Sequence, residues 1–201
     1  MSITYPAIID KIYGMAAANG SAVSYLPAEH CPNPDMAAGY RQQLLALLDL
    51  LANPKAPSLE SVFATGTSVP AILLHPLSRG TAQLNLPDPL GLPVLDYRTA
   101  SNPVDSGDGG DAAARRGRDA ARRYAAGQMV VSYMYPCCTA AMLPKGKGGV
   151  VGTDLRVHGA DGLRVVDASV FPVLPSAHLS ATAYAVAEKA VDIIIIRHWS
   201  G

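Results

Sequence analysis

The chain has 201 residues, of which 49% are hydrophobic and 16% are charged, so it can bury a sizeable core as one globular domain or slightly more. Its 16 basic and 16 acidic side chains cancel, which excludes a generally basic surface for nucleic acid or an anionic membrane. The first ten residues lack the basic start and long apolar core of a signal peptide, and no apolar run approaches the length of a membrane span. We therefore expect neither nucleic acid nor a membrane as partner, and the sequence assigns no compartment.

The first half of the chain contains one clear helix and three strand-like segments. Apolar residues recur at helical spacing over residues 36–51 and stop at Asn53-Pro54, which predicts a helix ending there. Residues 54–70, rich in Ser, Thr, Gly and Pro, are predicted to be a loop. Two short strands are then expected at 71–76 and 81–86, joined through 77–80, and a third at 93–98.

The second half is predicted to end in a strand followed by a long helix. An Ala/Arg helix is expected at 112–126, a β-prone segment at 128–135, a strand at 163–166 and a helix at 180–196. The last helix should bury one apolar face and turn Glu188 and Asp192 outward; the residues of that predicted face are Tyr184, Ala187, Val191, Ile194 and Ile195. Strands and helices outside a strict βαβ rhythm favour the α+β class.

The cysteines and histidines do not suggest a cross-linked or metal-containing protein. Cys31, Cys137 and Cys138 are three in number, so they cannot all pair, and a disulfide between the two adjacent ones would be strained. We predict reduced thiols. No cysteine, histidine and carboxylate spacing fits a metal centre, so no metal site is predicted.

Two blocks of the sequence resemble one enzyme family. The first is AILLHPLSRGTAQLNLPDP at 71–89 with VLDY at 94–97, and the second extends over 132–196 and includes GVV, LRVHG, LRVVDAS and AEKA. In this order the blocks resemble the glucose–methanol–choline (GMC) FAD-dependent oxidoreductases, in particular the fungal branch with glucose oxidase, aryl-alcohol oxidase and versicolorin B synthase. The resemblance implies a C-terminal substrate-binding domain, an antiparallel sheet with flanking helices, followed by the last strand and helix of the FAD domain.

The dinucleotide-binding part of such an enzyme is not recognisable in these 201 residues. Its Gly-x-Gly-x-x-Gly turn would have to follow a strand and begin a helix, whereas the glycines at 146–152 have another spacing and those at 107–110 lie among acids. We therefore expect the main Rossmann part to be missing and FAD to bind weakly or not at all to this chain alone. The expected segments are 1–70 and 71–162 in the substrate region and 163–201 completing the FAD domain.

The resemblance also implies two catalytic positions. In this family an alcohol loses its hydroxyl proton to a histidine while hydride passes to the flavin, and the later of two such positions corresponds to His178. At the earlier position the family histidine is replaced by Tyr135. A phenol is largely protonated at neutral pH, so it is a poor base but a competent hydrogen-bond donor or acid.

The same resemblance assigns four residues to the cofactor. Asp167 and Ala168 correspond to the turn beside FAD, and Leu179 and Ser180 to the helix start near the flavin ring, where N–H groups and the helix dipole would stabilise negative charge. The residues alone support a second interpretation of Asp167, as a turn-former that hydrogen-bonds its own backbone.

Three functions stay open on this evidence. The first is the C-terminal part of an oxidoreductase for CH–OH donors, with a small alcohol substrate of aromatic or polyketide type. The second is a redox-free cyclase or isomerase in which Tyr135 is the acid and His178 the base. The third is a non-catalytic partner, with an exposed apolar surface that favours a dimer or a complementary FAD-domain chain.

Overall fold

The computed structural model describes part of the chain in enough detail to define its elements. The described residues are 9–10, 12–14, 23–53, 55–57, 59–61, 71–102, 104–105 and 135–199. The helix expected at 112–126 and most of the β-prone segment at 128–135 lie outside them. The described part contains small antiparallel sheets and separate helices, namely α1 (Pro34–Ala52), β1 (Leu59–Ser61), β2 (Ala71–Leu73), β3 (Thr81–Gln83), β4 (Val94–Asp96) and α2 (Leu179–Trp199).

Helix α1 confirms the prediction from periodicity. The Asn33 side chain accepts hydrogen bonds from the N–H groups of Asp35 (2.9 Å) and Met36 (3.3 Å), and Pro34 occupies the first turn, where its missing N–H costs nothing. The helix ends at Ala52, just before Asn53-Pro54. Its buried side chains are Tyr40, Leu44, Leu47 and Leu48.

The strands pair differently from the sequence prediction. β1 pairs antiparallel with β2, with Glu60 opposite Ile72, and β3 pairs antiparallel with β4, with Ala82 opposite Leu95. The expected pairing of 71–76 with 81–86 is therefore wrong, and so is the assignment of 59–61 to a loop. The segment between β2 and β3 does not form a hairpin turn, because the N–H groups of Leu77 and Ser78 donate to the Asp105 carboxylate at 2.7 and 2.6 Å.

The chain divides into two compact units. One comprises residues 1–32, 44–56 and 76–134, and the other comprises 33–43, 57–75 and 135–201. Within the first, β3 and β4 form the sheet and Asn102 is fully buried. The three linear segments expected from the sequence stay a prediction about domain organisation.

The core of the second unit is formed by buried side chains between residues 151 and 190. It contains Val151, Leu155, Val170, Phe171, Leu179 and Ala190. The strand expected at 163–166 is wrong: the Val157 N–H donates to the Leu163 carbonyl and the Val165 N–H to the Leu155 carbonyl, which makes only an isolated bridge pairing. The pairing stays short because the backbone of Leu155 and Gly162 is left-handed, with φ of 64° and 75°, which an extended strand does not permit.

Helix α2 confirms the predicted C-terminal helix but buries another face. The buried or half-buried stripe is Leu179, Ala183, Val186, Ala190 and Ile193. The predicted stripe is offset by one residue and is exposed, with Tyr184 at 73% and Ile195 at 50%. Glu188 and Asp192 are exposed as predicted. Because α2 is apolar on adjacent stripes, its sequence alone does not select which one faces the core.

Candidate active site around His178

His178 stands between two anchors of the second unit. Phe171 and Leu179 are 3% and 8% exposed and fix the two ends of the loop that carries it. The Gln43 side-chain amide also donates to the Pro172 carbonyl at 2.6 Å, which ties the loop to α1. Proline at 172 and 175 disfavours helix before position 178, so α2 begins only at Leu179. The imidazole is therefore presented at a helix start with half of its side chain (51%) exposed.

Glu60 is the ionic partner of His178. Its Oε1 lies 3.2 Å from His178 Nε2, and the Glu60 side chain is 32% exposed. A carboxylate at this distance can accept a hydrogen bond from an imidazole N–H and so restricts the orientation of the ring. The sequence prediction missed Glu60 because its segment was assigned to a loop, and no motif surrounds it.

The structure brings Tyr135 to His178. Their ring centroids are 6.5 Å apart and the rings are inclined by 75°, an edge-to-face contact. Tyr135 is 53% exposed. The two residues predicted as catalytic are thus neighbours in space although they are 43 positions apart in sequence, and their catalytic roles stay a prediction.

A cavity of about 500 Å³ adjoins His178. It is lined mainly by carbon atoms, with polar groups contributed by Glu60, Ser176, His178 and Ser180. The lining residues are Pro57, Leu59, Glu60, Leu74, Ser176, Ala177, His178, Ser180 and Ala181. An apolar cavity with a small number of placed polar groups is typical of small-molecule binding.

A second histidine, His75, contacts the loop that carries His178. His75 is 4% exposed, and its Nε2 lies 2.8 Å from the hydroxyl oxygen of Ser176, two residues before His178. Burial lowers the pKa of His75, while the backbone of Leu174 and Pro57 acts weakly in the opposite direction. Its Nδ1 has no hydrogen-bond partner of normal geometry within the described residues. The neutral ring is thus a structural support for the His178 loop.

The predicted cofactor residues occupy two places in the unit. The Asp167 carboxylate accepts a hydrogen bond from the Ser169 N–H (2.8 Å) and another from the Ser169 hydroxyl, and so begins the 3₁₀ turn Ala168–Val170. Leu179 is packed into the core, whereas Ser180 lines the cavity. Asp167 and Ala168 are not among the described lining residues, so the structure joins only Ser180 directly to the His178 cavity.

The described part of the chain contains no cluster of side chains suited to bind a metal ion. Within it, no group of three or more His, Cys, Asp or Glu side chains is placed to hold a metal ion. Within the described residues, no helix is both long enough and apolar enough to cross a membrane.

Comparison with known proteins points to one family. Residues 106–187 match the family model described as GMC oxidoreductase. The chain is 30% identical over 216 residues to the GMC oxidoreductase family protein Mala s 12 of Malassezia sympodialis, covering 92% of this chain and 34% of that protein. It is 31% identical to the dehydrogenase xptC of Emericella nidulans, covering 94% of this chain and 36% of the relative.

Solved structures give the same result. A structure described as a new fungal aryl-alcohol oxidase superposes with a TM-score of 0.89 at 50% identity, covering 98% of this chain and 37% of that one. An FAD-dependent oxidoreductase from Chaetomium thermophilum superposes with a TM-score of 0.79 at 32% identity, covering 97% of this chain and 37% of that one. The chain therefore spans about a third of the length of the relatives it matches.

Proposed function

Because this chain belongs to the GMC oxidoreductase family, we propose that it supplies the substrate-binding and C-terminal part of an FAD-dependent oxidoreductase acting on CH–OH donors. The observation that carries the proposal is the imidazole of His178, which lines the cavity, has a carboxylate partner in Glu60 and contacts the phenol ring of Tyr135. Such a group of side chains can take a proton from a bound alcohol and hold the resulting charge.

His178 is the proton acceptor in this proposal. Oxidation of an alcohol requires loss of the hydroxyl proton, and a half-exposed imidazole on the cavity wall can reach a hydroxyl placed there. The Glu60 carboxylate, 3.2 Å away, stabilises the imidazolium that forms. Tyr135 donates a hydrogen bond to the substrate oxygen and thereby orients it against His178.

The N-terminus of helix α2 can stabilise negative charge on a flavin ring. Ser180 lines the cavity at the N-terminus of the 21-residue helix α2, where unpaired N–H groups and the helix dipole favour negative charge. Bound FAD would supply the acceptor for the hydride that leaves the alcohol carbon. We propose that Leu179 and Ser180 hold its ring through this helix start, that Asp167 and Ala168 shape the adjoining turn, and that a dinucleotide-binding domain holds the rest of the cofactor.

The cavity favours an apolar, aromatic alcohol. Leu59, Leu74 and Ala181 contribute carbon atoms to its lining, and the Glu60 carboxylate lies 3.2 Å from the His178 imidazole. An aromatic ring would bury apolar surface against those walls and leave its hydroxymethyl group beside the imidazole. The solved relative at 50% identity is itself described as an aryl-alcohol oxidase.

The test is a chimera with that relative. The corresponding third of the fungal aryl-alcohol oxidase would be replaced by this chain, and FAD content and oxidation of benzylic alcohols measured. We expect a yellow, active protein in which His178→Ala lowers kcat by about 10²-fold or more, as loss of a general base does. Glu60→Gln should lower kcat by about fivefold or less, because a part-exposed ion pair contributes about 1 kcal/mol or less.

The control is His30→Ala, a histidine that is not among the cavity-lining residues. It should leave kcat unchanged. A chimera that binds FAD and keeps full activity after His178→Ala would exclude His178 as the base.

A redox-free cyclase or isomerase is the second candidate, and the contact between Tyr135 and His178 favours it. A phenol and an imidazole in edge contact can act as acid and base without any flavin. The isolated chain would then convert a hydroxyl-bearing carbonyl compound into its cyclic isomer, with loss of turnover in Tyr135→Phe. Turnover that requires added FAD would exclude this candidate.

A further inference from the structure

Two adjacent thiols lie in contact beside the candidate active site. The sulfur atoms of Cys137 and Cys138 are 2.6 Å apart, and both side chains are half-buried against the core of the second unit. They follow Tyr135 by two and three residues. Neither residue has a role in the proton transfer proposed above.

The backbone places both sulfurs on one side. In an extended chain, successive side chains point to opposite faces, so two adjacent cysteines would be held apart. Cys138 instead has a φ of 68°, in the left-handed region that residues with side chains rarely adopt. Its N–H donates to the Ala168 carbonyl at 3.2 Å, and the Ala140 N–H donates to the Ser169 carbonyl at 2.9 Å, so the turn is fixed to the 3₁₀ turn Ala168–Val170.

We propose that Cys137 and Cys138 are a reversible oxidation site that closes to an intra-pair disulfide in the presence of hydroperoxide. One thiol loses its proton, the thiolate attacks a peroxide oxygen and the O–O bond breaks; a sulfenic acid forms, and the leaving hydroxide takes up that proton and departs as water. The second thiolate attacks the sulfenic sulfur, the S–O bond breaks, the S–S bond forms, and a second water leaves. Overall two thiols are oxidised and one hydrogen peroxide is reduced to two waters.

Because Cys137 and Cys138 are adjacent in sequence, a disulfide between them would be easily reduced again. Consecutive Cα atoms are about 3.8 Å apart, below the range of roughly 4.4–6.8 Å that relaxed disulfides span. A disulfide held outside that range is more readily reduced than a structural one, which is the property of labile and regulatory disulfides. The pair should therefore be reduced again by a small dithiol.

Closure would act on the candidate site through Tyr135. The ring formed by the disulfide changes the turn two residues after Tyr135, whose ring contacts His178. The same oxidation should thus alter the environment of the His178 imidazole.

The sequence allows a direct test by peptide mass. Trypsin releases both cysteines in a single fragment, 124–145, and Cys31 in another, 12–41. After treatment of the native chain with equimolar hydrogen peroxide and alkylation, we expect fragment 124–145 to be two hydrogen atoms lighter and unalkylated. Dithiothreitol should restore two alkylated cysteines in that fragment, and the ring-proton NMR signals of His178 should shift between the two states.

Cys31→Ser is the matched control and should leave this result unchanged, whereas Cys138→Ser should abolish it while circular dichroism reports an intact fold. Cross-linking of fragment 124–145 to fragment 12–41, formation of disulfide-linked dimers, or accumulation of sulfinic acid as the main product would each overturn the proposal.

Discussion

At the scale of single residues, the loop that carries His178 depends on a buried neutral histidine. His75 is 4% exposed and lies 2.8 Å from the Ser176 hydroxyl, so it connects the end of β2 to the wall of the cavity. Transfer of an imidazolium to this site is unfavourable, which is why burial lowers the pKa of His75 below its ordinary value of 6.5. Support of the His178 loop is therefore linked to pH.

The first prediction concerns stability against pH. Below about pH 6.5, His75 takes up a proton in the unfolded chain, whereas in the folded chain it does so only at lower pH. Acidification therefore favours the unfolded chain, and the contribution of neutral His75 to the free energy of unfolding, fully present above pH 6.5, is lost as the pH falls through the folded pKa. We expect the free energy of unfolding from urea titration to fall between pH 7.5 and 5.5 by on the order of 1 kcal/mol more in the wild type than in His75→Gln. The glutamine amide can still hydrogen-bond to Ser176 but does not titrate.

His30→Gln should show the wild-type dependence on pH. An identical pH dependence in His75→Gln and the wild type would contradict the linkage to His75.

At the residue scale, the sequence selected positions that a family motif marks, and the catalytic roles given to them stay a prediction. His178 and Tyr135 were both selected in this way, and the structure places them in edge contact. Glu60 could not be found, because its position beside His178 depends on strand pairing with residues 71–73 and not on its sequence neighbours. The support of the His178 loop by His75 likewise depends on a contact 101 positions away.

At the scale of elements, the 3₁₀ turn Ala168–Val170 is hydrogen-bonded to the segment 138–142, which contains Cys138. Asp167 begins this turn through the Ser169 N–H, and the turn's carbonyl groups accept hydrogen bonds from Cys138, Ala140 and Met142. The Asp167 carboxylate thus fixes the turn Ala168–Val170, whose carbonyl groups in turn hold the segment 138–142.

The second prediction separates the capping role of Asp167 from a cofactor role. Asp167→Ala should lower the free energy of unfolding of the isolated chain by about 1 kcal/mol in urea titration, because the Ser169 N–H loses its acceptor. Asp167→Asn should retain most of that stability, since asparagine caps almost equally well. Asp161→Ala, at an exposed position outside the turn, should have little effect.

Equal losses in the alanine and asparagine variants would contradict the capping role. A loss of FAD from the chimera with Asp167→Asn, at unchanged stability, would support the additional role beside the cofactor.

Elements with a strong local signal were predicted from the sequence, and those set by distant partners were not. Asn33-Pro34 and Asn53-Pro54 mark the ends of α1, and apolar spacing marks its length. The three-residue strands carry too little pattern to define their partners, so the expected hairpin between 71–76 and 81–86 was wrong. The Leu163–Val166 segment is apolar enough for a strand, but the left-handed backbone at Leu155 and Gly162 limits it to a bridge.

At the scale of the whole molecule, α2 has more apolar surface than the second unit covers. One stripe packs on the core, while the adjacent stripe exposes Tyr184 (73%), Val191 (51%) and Ile195 (50%). The relatives are nearly three times as long as this chain. We infer that a dinucleotide-binding domain covers this second stripe, since an exposed run of large apolar side chains is a typical interaction surface.

The third prediction tests that surface with a paired design. Val191→Glu with Ile195→Lys should leave the isolated chain's free energy of unfolding within about 0.5 kcal/mol of wild type, because both side chains are half exposed. In the chimera with the aryl-alcohol oxidase relative, the same two changes should cause loss of FAD and a lower melting temperature, because charges would be buried at the domain contact.

The matched control is Glu188→Lys with Asp192→Lys, on the exposed charged side of α2, which should leave the stability and FAD content of both proteins unchanged. Equal FAD content in the Val191/Ile195 chimera and its parent would show that the stripe does not contact the dinucleotide-binding domain. Destabilisation of the isolated chain by the same pair would instead show that this stripe is packed within the chain. The buried face of α2 would then be the one that contains Val191 and Ile195, as the sequence pattern predicts.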